Sequence, residues 1–219
     1  MKVIITGATG MVGEGVLLTC LDNPQITEVL VINRKPCKVL NPKLKEIIHE
    51  DFYDISPIEN QLSGYDACFF CLGISSVGIS AEDYEKITYN LTLHAAEVLA
   101  KQNPEMTFCY ISGAGTDSTE KGKVRWARVK GKTENDLMKL PFKAAYGVRP
   151  GFIKPIKGQN NALAFYKYIT GLFPIGRALY SKGFCKMEEL ANTMIYLAQH
   201  QPSKNIIEGD DIIEMAKRI

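Results

Sequence analysis

Thr6-Gly7-Ala8-Thr9-Gly10-Met11-Val12-Gly13 (TGATGMVG) follows the apolar run Val3-Ile4-Ile5 and opens a helical pattern. Three glycines at this spacing each answer a steric demand of a strand-to-helix turn. Gly7 permits the tight turn, Gly10 lets the backbone approach a pyrophosphate, and Gly13 lets the helix pack close to the sheet. A helix that starts here aims unpaired N–H groups and the positive end of its dipole at the turn, which suits an anion. The rival reading, a nucleoside-triphosphate loop, needs a Lys-Ser/Thr pair after the last glycine, where this chain has Glu14. A glycine turn without a ligand is the remaining alternative. The expectation is dinucleotide binding through Gly7, Thr9, Gly10, Met11, Val12 and Gly13.

Outward from this motif, short apolar runs at 2–6, 28–33, 46–49, 67–72, 106–112 and 144–149 read as strands. Helical patterns lie between them. In the clearest, at 81–101, Ile87, Leu91, Ala95 and Val98 repeat at helical spacing until Asn103-Pro104. Strands alternating with helices imply crossover connections and a parallel sheet covered on both faces, because parallel strands cannot be joined by a tight turn. The fold class expected is therefore α/β, a doubly wound parallel sheet of Rossmann-like type. At 219 residues one core buries roughly 70% of the surface of the unfolded chain, so a single domain over 1–219 is expected. After Arg149 the alternation loosens into a segment rich in Gly, Lys and aromatics, then a helical pattern at 187–199. Residues 151–219 are expected to form a small capping extension over a substrate pocket.

At the end of the second strand, where a carboxylate would meet a ribose 2′-hydroxyl, the sequence has Asn33-Arg34-Lys35. Two cations there suit a 2′-phosphate, and Arg34 can grip it by a charge-assisted contact of roughly 1.5–3 kcal/mol. The cofactor expected is NADP(H) in preference to NAD(H); the bland alternative is a solvated basic turn.

These residues together resemble the short-chain dehydrogenase/reductase superfamily, in particular its atypical branch of Tat-interacting-protein-like and small epimerase-like proteins. The likeness runs through the glycine turn, Arg34, Asp51-Phe52, Cys71-Leu72-Gly73, Ser112, Lys130-Gly131 and Arg149-Pro150-Gly151. It implies that Asp51 and Phe52 border the adenine, Cys71, Leu72 and Gly73 the ribose, and Lys130 the nicotinamide ribose. Arg149, Pro150 and Gly151 would then face the substrate. One position departs from the pattern. Family enzymes carry Tyr-x-x-x-Lys on the helix after the fifth strand, and this chain reads Trp126-Ala127-Arg128-Val129-Lys130. Residues i and i+4 share a helix face, so a tyrosine there feels the lysine charge and can deliver a proton. An indole N–H donates a hydrogen bond but does not ionise. Lys130, Ser112 and Trp126 are the candidate catalytic residues, with Ser112, Tyr110, Tyr146 or solvent as the alternative proton source. Three functions stay open: an NADP(H)-dependent reductase of small molecules, a non-catalytic NADP(H)-responsive interaction protein, and a nucleotide-sugar epimerase-like enzyme.

Other features point elsewhere less directly. Cys68 and Cys71 form Cys-x-x-Cys, but residues three apart on a strand face opposite ways, so packing is expected and not a redox pair. His49, His94 and His200 lack zinc-ligand spacing, and no metal is expected. In Gly73-Ile74-Ser75-Ser76-Val77-Gly78, Val77 stands where a hydrolase elbow needs glycine. The basic run from Lys121 to Lys132 is flanked by Glu120, Glu134 and Asp136 and reads as a solvated face. The aromatic stretch 162–173 suits a pocket lid or a homodimer contact better than a membrane surface. A net charge of +2 does not advertise nucleic acid or an acidic membrane, and neither is expected as a partner. The apolar run near Met1 is too short for a signal peptide, so a cytoplasmic location with reduced cysteines is expected.

Overall fold

The central strands of the main sheet alternate their apolar side chains between two buried faces. In β1 (Lys2–Thr6) and β2 (Glu28–Asn33), Val3, Ile5, Val29 and Val31 enter one core, while Ile4, Leu30 and Ile32 enter the other. A strand buried on both sides must be covered by helices on both sides. The computed structural model, which describes residues 1–162 and 170–219, shows that arrangement. β3 (Leu44–Ile48), β4 (Ala67–Phe70), β5 (Thr107–Ile111), β6 (Ala144–Arg149) and β9 (Ile206–Glu208) complete a seven-stranded sheet in the order β3-β2-β1-β4-β5-β6-β9. All of its pairings are parallel. The order reverses between β1 and β4, and an open α/β sheet binds ligands at such a switch point, beyond the carboxyl ends of its strands.

On one face lie α1 (Met11–Asp22) and α6 (Met187–His200), whose Val16, Leu17, Leu190 and Met194 fill the first core. Gly15 is what lets them meet: a Cβ there would stand 2.3 Å from the Met187 side chain. The other face is covered by α2 (Ala81–Glu85), which runs through a π-helical turn, Lys86–Asn90, into α3 (Leu91–Gln102), and by α4 (Arg125–Leu137). The expected helix at 81–101 is thus one continuous element with a local widening.

Two expectations change in detail. The third strand begins at Leu44, two residues early, because Leu44 packs against the first core while Lys45 and Glu46 are exposed. The stretch after Gly151 divides in three. β7 (Phe152–Lys154) and β8 (Phe184–Lys186) form a separate two-stranded parallel sheet with α5 (Phe173–Leu179) beside it. Residues 163–169, most of the aromatic stretch, lie outside the described residues. The remainder belongs to the main layers: α6 covers the sheet, β9 pairs with β6, and α7 (Asp210–Ala216) packs on α6. Among the described residues after Gly151, β7, β8 and α5 stand apart from the main sheet.

Candidate functional site

The glycine turn is held by backbone contacts that leave no room for side chains. Gly7 has φ +71°, and a Cβ on it would come within 2.8 Å of the Cys71 and Leu72 backbone. A Cβ on Gly13 would stand 2.1 Å from the Gly7 carbonyl oxygen, so this glycine seats the helix on the turn itself as much as on the sheet. Gly10 donates its N–H to the Gly7 carbonyl at 2.9 Å and caps α1 without any side-chain cap. The free N–H groups of the first turn remain available to an anion.

Beside the turn, a cavity of about 260 Å³ is lined by Gly7, Thr9, Gly10, Ile32, Asn33, Arg34, Phe52, Cys71, Leu72 and Gly73. Sequence reasoning had assigned most of this set to a cofactor, and the structure brings it together. Asp51 does not join it: exposed, it accepts the Tyr53 N–H at 2.9 Å and shapes the loop that buries Phe52. Met11 and Val12 lie half-buried on the first turn of α1, packed against the first core, and do not line the cavity. Asn33 Oδ1 is buried here without a hydrogen-bond partner among the described residues.

Through Thr9 and Arg34 this pocket adjoins a larger cavity of about 900 Å³, lined also by Lys35, Lys38, Glu50, Asn160 and Asn161. Glu46 builds its basic wall. One carboxylate oxygen accepts from Asn33 Nδ2 at 3.0 Å and from the Cys37 N–H at 2.8 Å, fixing the turn that carries Arg34, Lys35 and Lys38. None of the three cations makes an ion pair with a described residue.

At the other end of the cleft, α4 carries Lys130 toward the end of β5, where its ammonium donates to the Ser112 carbonyl. Burial lowers the Lys130 pKa from 10.5 to about 8, against a smaller raising effect from Glu134. The Ser112 hydroxyl is committed elsewhere, donating to Glu134 Oε1 at 2.5 Å. Glu134 is 1% exposed and also accepts from Arg149 Nε at 3.0 and 3.2 Å and from Arg149 Nη2 at 2.5 Å. Nη2 further donates to Ser118 Oγ at 2.5 Å. Arg149 therefore lines a cavity of about 420 Å³ with Ala114 and Gly115 but has its guanidinium fastened inward. Pro150 is buried and Gly151 half-buried; a Cβ on Gly151 would stand 2.4 Å from the Gly183 carbonyl oxygen, so the segment is a close backbone crossing.

Trp126 stands one turn before Lys130, half-buried, with its ring 3.5 Å from where a Cβ on Gly115 would be. The alternative proton donors are turned away. Tyr110 is 2% exposed inside the second core, and Tyr146 donates to the Pro202 carbonyl at 2.8 Å, its pKa pushed up to about 12 by burial. Cys68 faces the second core and Cys71, just past the end of β4 at Phe70 where the expected strand ran on to 72, packs against the first, so the two sulfurs stay on opposite sides of the sheet. Sequence reasoning missed Glu134, Glu46 and the inward role of Arg149. One signal was present: Gly147 in mid-strand, where a Cβ would stand 2.6 Å from Glu134 Oε1, marks the close approach of another group.

A family model described as the NAD dependent epimerase/dehydratase family matches residues 3–127, more than half of the chain and all of the glycine turn. The chain belongs to this family. Its sheet order and its resemblance to short-chain dehydrogenases/reductases agree with that membership. Protein FMP52-2, mitochondrial, of Scheffersomyces stipitis is 28% identical over 98% of this chain and 97% of its own length. Protein FMP52, mitochondrial, of Candida albicans is 27% identical over 75% of this chain and 74% of its own length. Among solved structures, the Bordetella bronchiseptica enzyme WbmG in complex with NAD superposes with a TM-score of 0.70 at 13% identity, covering 99% of this chain and 76% of that one. ADP-L-glycero-D-manno-heptose-6-epimerase of Helicobacter pylori gives 0.68 at 16%, covering 99% and 81%. At these identities the structures establish the fold. The relatives' mitochondrial names overturn the cytoplasmic expectation. That expectation rested on Val3-Ile4-Ile5, which is a core strand whose apolarity answers to packing and carries no information on compartment.

Proposed function

We propose that this family member is an NADP(H)-dependent oxidoreductase of a small molecule, working without the tyrosine of the short-chain dehydrogenase/reductase pattern, whose place Trp126 takes. The observation that carries the reading is the basic wall: Arg34 and Lys35, unpaired among the described residues, line a cavity continuous with the adenosine pocket. Gly7 and Gly13 let the turn close on the Cys71–Leu72 backbone and on the start of α1, whose first N–H groups have no side-chain cap, and the orphaned Asn33 oxygen offers an acceptor to a ribose or adenine donor. When bound, the nicotinamide would supply a hydride donor or acceptor. Toward it, Lys130 would hold the ribose from a position fixed by the Ser112 carbonyl. Trp126 would exclude water and offer one hydrogen bond without a proton to give. Acceptors that draw their proton from solvent, such as quinones and flavins, suit this arrangement better than aldehydes. The FMP52 names make the mitochondrion the compartment in which to look first.

The second reading, a non-catalytic NADP(H)-responsive protein, is favoured by one observation: the Ser112 hydroxyl and the Arg149 guanidinium are both bound to Glu134. Steady-state oxidation of NADPH against a panel of quinones, flavins and aldehydes separates the two. Turnover with a quinone or flavin is expected; binding of NADPH with no turnover on any acceptor would transfer the conclusion to the second reading.

A further inference from the structure

Glu14 stands on the first turn of α1, directly after the glycine motif, and is 4% exposed. A carboxylate buried beside the end of a helix that attracts anions needs compensation, since an unpaired buried charge is costly and a nearby phosphate would repel it. Both oxygens are compensated by one segment. Oε1 accepts the Asn160 N–H at 2.9 Å and Oε2 accepts the Asn161 N–H at 2.7 Å. Gln159 adds a second tie, its side-chain amide donating to the Met11 carbonyl while its Oε1 accepts from the Ile156 N–H at 3.3 Å. Residues 156–161 are thus a strap fastened across the start of α1. Asn160 and Asn161 line the same 900 Å³ cavity as Arg34 and Lys35.

We propose that this strap is a wall of the 2′-phosphate site and that Glu14 is the positioning residue that sets it. Asn160 and Asn161 would complete, with Arg34 and Lys35, a cradle with both charge and amide donors for a phosphate monoester on the adenosine ribose. A carboxylate is needed at position 14 because two successive N–H groups require two acceptors. Glutamine keeps the shape but turns an NH₂ toward one of them, so Glu14→Gln breaks the tie without emptying the site. The proposal rests on the NADP(H) reading given above.

Calorimetric titration of the wild type, Glu14→Gln and Gln159→Ala with NADPH and with NADH, together with hydrogen exchange of residues 156–161, tests it. Glu14→Gln should lose about tenfold in NADPH affinity and less than about threefold in NADH affinity, so that the preference narrows. Exchange across the strap should quicken. Gln159→Ala should move both readouts the same way by less, and it carries the test should Glu14→Gln fail to fold. Equal losses for the two nucleotides would put the strap against the pyrophosphate that both share and overturn the assignment. Faster exchange with unchanged NADPH affinity would reduce Glu14 to a structural tie and overturn it too. A wild type that binds NADPH and NADH alike would overturn the cofactor reading, and the strap's role with it, before any variant is compared.

Discussion

At the end of the cleft beside the glycine turn, Arg34, Lys35 and Lys38 stand exposed around a cavity and pair with no described residue. At the α4 end, Lys130, Ser112 and Arg149 are joined to one another or to the buried carboxylate of Glu134. Exposure accounts for the contrast. A cation in water keeps its hydration and waits for a ligand at little cost, whereas one that is removed from water must be matched inside the protein. The first end is therefore built to take up charge from outside. The second holds its polar groups inward, Arg149 and Ser112 on Glu134 and Lys130 on the Ser112 carbonyl, with burial still depressing the Lys130 pKa.

Removing the buried carboxylate should give the largest effect. Glu134→Ala would remove the buried counter-charge of Arg149, 8% exposed, leaving it Ser118 and the exposed Glu208 at 3.6 Å, and would leave Ser112 only the Val148 carbonyl at 3.3 Å, at a cost of about 3–5 kcal/mol in urea or thermal unfolding. Arg34→Ala, by contrast, should change stability by less than about 0.5 kcal/mol. A loss below about 1 kcal/mol for Glu134→Ala would erase the distinction between the two ends.

The end beside the glycine turn is then sharpened by charge reversal. Arg34→Asp should weaken NADPH about 10- to 100-fold and leave NADH nearly unchanged or improved, read by calorimetry. Equal weakening of both would mean that Arg34 acts on the fold of the turn and not on a phosphate.

The contrast also explains what could be read from the chain. The glycine turn, the two-faced apolar strands and the Asn33-Arg34-Lys35 run are local patterns, and each lies where its pattern places it. β9, with only Ile206, Ile207 and Glu208, is too short for a period to register and exists because Gly147, Val148 and Arg149 offer it a parallel edge. β7 and β8, three residues each, are alike in this. Glu134 reads in the sequence as the flank of a solvated face and Arg149 as a substrate-facing residue; their pairing comes from α4 folding back over β6, which no spacing records. Glu14 was read only as the absence of a lysine, because its partners lie on a strap more than a hundred residues away.

The Lys130 pKa gives an effect with a definite sign. Depressed from 10.5 to about 8 in the folded state, this lysine has lost its proton between those pH values while its unfolded counterpart still holds one. The unfolded state then binds more protons, so stability rises with pH from about 8 to 10.5, and the penalty is present in full below 8. Lys130→Met should abolish that rise in pH-dependent urea unfolding. A titration left unchanged by the substitution would remove Lys130 from its buried position.

The smallest expected effect uses the single tryptophan. Trp126 lies on α4 one turn before Lys130, so a nicotinamide ribose held by Lys130 would be its neighbour. Reduced cofactor is a poor probe, because its absorption overlaps indole emission and energy transfer quenches a distant ring as well as a near one. Oxidised NADP lacks that band and must act at close range, by stacking or by changing the local field. Saturating NADP⁺ should therefore shift or partly quench Trp126 emission, and Trp126→Tyr, which restores an ionisable hydroxyl within the field of Lys130, should raise carbonyl reduction. Binding of NADP⁺ proved by calorimetry but silent in fluorescence would mean that the nicotinamide does not reach α4. The inward-held cluster of Lys130, Ser112 and Glu134 would then be architecture alone, and the binding end would be the whole of the site.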